Sequence, residues 1–278
     1  MLVNYDLLLV LIALVLAFTL ARFALPGLLK IIGEAGFVRP NFRGDKIPVG
    51  AGLLFFLSAL LPTALLIIWQ PETYKIGGLA FLFALGTMTL LGIVDDVFGS
   101  RADSGLKGHI KKLLRGELTT GGLKLVAGGL MALVVAGVIS PRWPDILVNT
   151  IVIALSVNAI NLLDLRPGRA GKGYLLGVVL LTSAAWPSYE LIWCLVTAAI
   201  LLAYLPIDLK AGAMMGDTGS NALGATIGIT AAMVLLWPVK LGYLAFLVVF
   251  HLFTEKYSLT KIIEKNKMLN YLDQLGRG

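Results

Sequence analysis

The chain contains one cysteine and two histidines in 278 residues. A single thiol, Cys194, excludes a disulfide framework and a cysteine-rich metal site. It lies inside an apolar run and reads as a small buried hydrophobe. His109 and His251 are too few and too far apart to suggest zinc. Charge is also scarce. Only 14% of residues are charged, 58% are hydrophobic and the mean hydropathy is +0.88, whereas a soluble domain carries about 25% charged residues. That shortage excludes a pair of soluble domains and fits a polytopic membrane protein. No internal repeat or low-complexity tract interrupts the chain. No basic leader precedes the first apolar stretch, so a cleavable signal is not expected.

Apolar runs dominate what remains. Nine are long enough to read as membrane spans, at about 4–24, 48–69, 76–94, 121–140, 146–163, 172–187, 189–206, 221–238 and 240–255. The fold expected is all-α: a polytopic bundle of about nine transmembrane helices. Residues 1–255 form the membrane domain, and 256–278 a charged tail with an apolar stripe. That tail should lie as an amphipathic helix on the membrane or against the inner loops. With the N-terminus outside, twenty of the 23 lysines and arginines fall on the inner side. This bias puts the C-terminus in the cytoplasm. It also accounts for the net charge of +7 without nucleic acid. The loop from Gly99 to Thr120 is the most basic, with Lys107, Lys111, Lys112 and Arg115 at helical spacing, and suits anionic lipid heads.

The informative residues are acids at the inner ends of these runs. Asp95 and Asp96 close the third run, Asp164 closes the fifth, and Asp217 stands between two others. Acids at a bilayer edge are costly and mark function by default. As neighbours on a helix, Asp95 and Asp96 point about 100° apart, so one can face the bundle and the other the loop. Oxygen-rich sites of this kind suit Mg²⁺, with Mn²⁺ an alternative, and Mg²⁺ usually shares its shell with substrate phosphates.

Gly216-Asp217-Thr218-Gly219-Ser220 reads as a glycine turn ahead of a helix. Ser220 or Asn221 would cap that helix, whose positive end would favour a phosphate. Asn158, Asn161 and Asp164 recur every three residues and share one helical face. Lys124 opens one span, and Lys46 precedes the small residues Gly50-Ala51-Gly52; both suit an anionic ligand. Acids confined to one face, with none in mid-span, argue against a cation-coupled transporter. The composition of the site fits phosphoryl or phosphosugar transfer involving a lipid carrier.

These motifs, in this order from Lys46 to about Ser258, resemble the polyprenyl-phosphate N-acetylhexosamine-1-phosphate transferases (glycosyltransferase family 4). The resemblance rests on Lys46 to Gly52, Asp95-Asp96, Asn158-x-x-Asn161-x-x-Asp164 and Gly216-Asp217-x-Gly219-Ser220. It implies a multi-pass enzyme of the bacterial cytoplasmic membrane, with its site facing the cytoplasm. A lipid phosphate, undecaprenyl phosphate, would take a sugar-1-phosphate from a UDP-sugar and release UMP, in cell-wall or surface-glycan synthesis. Asp217 would be the Mg²⁺ ligand, and Asp95, Asp96 and Asp164 the catalytic acids. Lys46, Lys124, Asn158, Asn161, Gly216 and Ser220 would bind substrate. A homodimer stays open, as does a non-catalytic relative that binds lipid phosphate or a partner enzyme. Two departures stand out. Pro167 occupies the position of the family's second acid in the third motif, and the family's histidine-rich loop has no counterpart.

Overall fold

The computed structural model describes residues 3–99, 108, 112–113 and 115–277, with side chains from Leu7 onward. Of the basic loop, Lys107 and Lys111 lie outside the described residues, as does His109. Among the described residues there are eleven α-helices and one two-stranded hairpin. The helices are α1 (Val3–Glu34), α2 (Leu53–Trp69), α3 (Pro71–Phe98), α4 (Thr120–Ile139), α5 (Trp143–Leu163) and α6 (Arg169–Ala185). They continue with α7 (Ile192–Leu209), α8 (Gly216–Val234), α9 (Trp237–Lys256), α10 (Leu259–Lys265) and α11 (Lys267–Gln274).

Among the described residues, six helices are long and apolar enough to cross a bilayer: α1, α3, α4, α5, α9 and the stretch Tyr189–Leu209 that contains α7. The protein is a multi-pass membrane helix bundle. The runs read at 48–69, 172–187 and 221–238 coincide with α2, α6 and α8, which are shorter or less apolar. Helix α1 continues past the expected residue 24 and through Pro26 to Glu34. Proline opens or lies in the first turn of α3, α5 and α9, where its missing N–H removes no helical hydrogen bond.

Helix α8 is the axis of the bundle. Every residue from Thr218 to Ala232 is buried, and α8 packs most extensively against α5 and α3. Glycine makes this possible. A side chain at Gly224 would come within 2.5 Å of the Val157 Cα, and one at Gly228 within 2.8 Å of the Ile153 Cα. On α3, a side chain at Gly92 would run into the backbone of Thr218. Small residues let helix backbones approach closely in lipid, where no hydrophobic force drives helices together and close packing must hold them. The consequence is positional: the C-terminal ends of α3 and α5 and the N-terminal end of α8 are drawn to one point.

Around this axis, Phe81 stacks on Trp193 with centroids 5.4 Å apart, and Phe55 meets Tyr204 edge-on at 5.9 Å. Both pairs sit in the larger apolar core. Between α1 and α2, β1 (Val38–Pro40) pairs antiparallel with β2 (Lys46–Pro48), in the register Arg39↔Ile47. The Asn41 side-chain oxygen shapes the hairpin tip by accepting from the amides of Arg43 (2.8 Å) and Asp45 (3.0 Å). The hairpin is tied to the bundle where the Met214 amide donates to the Pro48 carbonyl at 2.8 Å.

Candidate active site

Four of the acids read from the sequence meet at the N-terminal end of α8. Thr119 caps α4 by accepting from the Gly122 amide at 3.0 Å, which sets Lys124 in the first turns of that helix. The Lys124 ammonium donates to the Asp95 carboxylate at 2.8 Å and to the Asp217 carboxylate. Asn161 donates to the same Asp217 oxygen at 3.2 Å and accepts from the Ser220 hydroxyl at 3.2 Å. Residues from α3, α4, α5 and α8 thus form one connected network, and its shared element is Asp217.

Asp96 faces the other way from Asp95, as adjacent helical positions dictate. Its carboxylate accepts from the amides of Asp217 and Thr218, both at 3.0 Å, and from the Thr218 hydroxyl at 2.6 Å. This corrects the expected turn. Gly216 to Ser220 is the first stretch of α8 itself, Met215 is its N-cap position with no side-chain cap bond, and Ser220 and Asn221 are buried inside the helix. An acid from α3 satisfies the first amides of α8 in place of a local cap. The positive helix end therefore faces Asp96 rather than an incoming phosphate. Gly216 has φ +69°, and a side chain there would collide with the Asp96 carboxylate.

Beside this network opens a cavity of about 810 Å³, within the size range of small-molecule sites. Asp95, Asp96, Asp164, Asp208 and Asp217 line it from the bundle, and Arg39, Phe42 and Arg166 from the hairpin and the loop after α5. Arg39 donates to the Asp96 carbonyl at 3.2 Å. The guanidinium of Arg166 lies 5.6 Å from the Phe42 ring centroid, a cation–π distance. One end of the cavity is acidic and the other is basic and aromatic.

Asp164, just past the end of α5, lines this cavity. Burial pushes its carboxyl well above the ordinary range, and the like charges of Asp208, Asp217 and Asp96 add to the effect. Asp208 was not singled out from the sequence. It receives the Gly168 amide at 2.9 Å and holds the loop that carries Asp164. The same signal that marks the other acids, a carboxylate closing an apolar run, applies to Leu205-Pro206-Ile207-Asp208. Arg39 and Phe42 had no such signal in a segment that reads as basic loop. Asn158 is part-buried on α5, and neither it nor Lys46, which is exposed on β2, lines the cavity.

Glycosyl transferase family 4 matches residues 78–235, more than half of the chain. The chain belongs to this family. The matched stretch holds Asp95, Asp96, Lys124, Asn161, Asp164 and Asp217, and leaves out the hairpin and the tail. Among curated proteins, the chain is similar to the phospho-N-acetylmuramoyl-pentapeptide-transferase of Clostridium kluyveri, in each of two strains. Identity is 26% over 218 residues, which cover 72% of this chain. The chain spans 66% of the length of these relatives, just under two thirds.

Proposed function

We propose that this protein is an integral-membrane transferase that moves a sugar-1-phosphate from a UDP-sugar to a polyprenyl phosphate such as undecaprenyl phosphate. The observation that carries the proposal is the convergence of Asp95, Lys124, Asn161 and Asp217 from four helices in one bonded network, whose two acids line the cavity beside it. Family membership and the likeness to a phospho-N-acetylmuramoyl-pentapeptide-transferase support it. In the reaction, an oxygen of the lipid phosphate forms a bond to the β-phosphorus of the donor. The bond from that phosphorus to the bridging oxygen breaks, and UMP leaves with the electron pair. The ionised lipid phosphate is its own nucleophile, so no proton need be removed from it.

The donor set fits a magnesium ion. Its ligands are carboxylate oxygens, and among the described residues no group of three or more histidine, cysteine, aspartate or glutamate side chains is placed to hold a metal ion by itself. Mg²⁺ characteristically takes one or two carboxylates and completes its shell with water and substrate phosphates. Asp217 and Asp95 would hold it. When bound, it would neutralise charge on the diphosphate. Lys124, between the two carboxylates, is placed to stabilise a phosphate oxygen as charge builds on the leaving UMP. Asn161 orients Asp217, and Asp96 fixes the helix end on which Asp217 stands. Arg39 and Arg166 at the cavity mouth offer cations to the donor's anionic groups.

Taken with the nine apolar runs, the bias of basic residues supports an outer N-terminus and a cavity that opens to the cytoplasm. The deciding experiment gives purified protein undecaprenyl phosphate, Mg²⁺ and a panel of radiolabelled UDP-sugars. Label should move to the lipid with wild type and not with Asp217→Asn. Wild-type protein that transfers no label from any donor would reject the proposal.

A further inference from the structure

The tail is turned inside out for a helix on a water-facing surface. On α11 the acid Asp273 is 8% exposed, while Met268 and Tyr271 are 71% and 67% exposed. Asp273 is buried because two arginines meet it. Arg169, the first residue of α6, binds it through Nε at 2.7 Å and a terminal nitrogen at 2.8 Å. Arg277 binds it through both terminal nitrogens, at 3.0 and 2.8 Å. Arg169 is itself 5% exposed and also donates to the Thr260 hydroxyl of α10 at 3.0 Å. Lys172 donates to the carbonyls of Leu272 (3.0 Å) and Asp273 (2.7 Å) at the end of α11.

The target of these bonds is the loop between α5 and α6. Arg277 donates through Nε to the Pro167 carbonyl at 2.7 Å, while Asp208 holds the Gly168 amide from the other side. Arg166 lies 3.9 Å from Glu264 of α10. Asp164, Leu165, Arg166 and Pro167 form one wall of the cavity. The loop is therefore clamped between the bundle and the tail, and the tail lies outside the stretch matched by the family. Bidentate guanidinium–carboxylate pairs fix geometry as well as contributing energy. A buried charge cluster is a poor source of net stability but can set one arrangement.

We propose that Asp273 is a positioning residue, and that through Arg169 and Arg277 the α10–α11 pair acts as a strap holding the loop of Asp164 to Gly168 in the shape that receives the UDP-sugar donor. The identity of the ligand rests on the transferase reading; the strap itself does not. Asp273 touches no reacting atom in this account. It acts by keeping Pro167 and Arg166 where they are.

The test places a nitroxide on Leu165→Cys, an exposed loop position; Cys194 is buried and takes no label. Spectra and transfer kinetics are compared in full-length wild type, Asp273→Asn and Asp273→Glu. The strap predicts sharper, more mobile lines in Asp273→Asn and partial return in Asp273→Glu. It also predicts a rise of about tenfold in donor KM with kcat changed less than about twofold, the signature of lost ground-state binding. Identical spectra in wild type and Asp273→Asn overturn it. So do mobile spectra with unchanged KM and kcat, because the loop would then be held without consequence for the donor. If wild type transfers nothing, the transferase reading fails while the spectra still decide the strap. If Asp273→Asn is not monodisperse in detergent, Arg277→Gln, which leaves the Arg169–Asp273 pair in place, is read the same way.

Discussion

The amide of Thr218 donates to the carboxylate of Asp96 at 3.0 Å across 122 residues of sequence. That bond, with its neighbour from the Asp217 amide, lets α3 cap α8 and fixes the end of the helix that carries Asp217. Of the adjacent acids, one faces the cavity network and the other builds the frame behind it.

Asp96→Ala removes the acceptor for both amides and should cost about 1–2 kcal/mol, the range for loss of a helix N-cap. Asp96→Asn keeps one acceptor oxygen and should cost less. Thermal unfolding in detergent reads the order, and an alanine variant as stable as wild type would refute the cap.

Lys124 is the cation that makes Asp95 and Asp217 tolerable neighbours. Lys124→Met leaves two part-buried carboxylates facing each other, and roughly 3 kcal/mol of stability should be lost. Millimolar Mg²⁺ should raise the unfolding temperature of Lys124→Met more than that of wild type, because a bound ion replaces the missing charge. No gain in either protein would remove Asp95 and Asp217 from the metal assignment.

Gly224 meets α5 backbone to backbone. Gly224→Val should destabilise by about 1–3 kcal/mol through overpacking. It should also weaken the Asn161–Asp217 contact, since α5 and α8 must separate. A variant that unfolds at the wild-type temperature would show that α5 and α8 do not pack this closely.

Asp164 gives a signed pH dependence. Its carboxyl titrates well above the ordinary range because burial and like charges disfavour the ion. Between the unfolded value, about 4, and this raised value the folded state holds the extra proton, so stability falls as pH rises. Asp164→Asn lacks this slope. Its stability relative to wild type should therefore grow from about pH 4 upward, measured by unfolding at a series of pH values. A constant difference would place Asp164 in water.

The membrane class, most of the helices and most of the acids of the site were legible in the sequence, because each depends on local pattern. An apolar run long enough to cross a bilayer is helical wherever it packs, and a carboxylate at its end is costly whatever its neighbours. The spacing of Asn158 and Asn161 placed them on one face of α5 for the same local reason, whereas Asp164 stands just past the helix end with non-helical backbone. Partnership was not legible. Gly216 to Ser220 looked like a turn awaiting a local cap, because nothing in those residues shows that Asp96 arrives from α3. Arg39 entered the cavity wall through packing alone, and Asp208, though it too closes an apolar run, through its bond to the Gly168 amide. The inward-facing Asp273, on a helix whose large apolar residues face outward, becomes intelligible only when Arg169 and Arg277 stand beside it. Periodicity and composition act over a few residues, so the sequence by itself determined the elements and the chemistry they carry. Close approach of α3, α5 and α8 at their glycines is a property of pairs of distant segments. Only the tertiary structure could decide which charges meet.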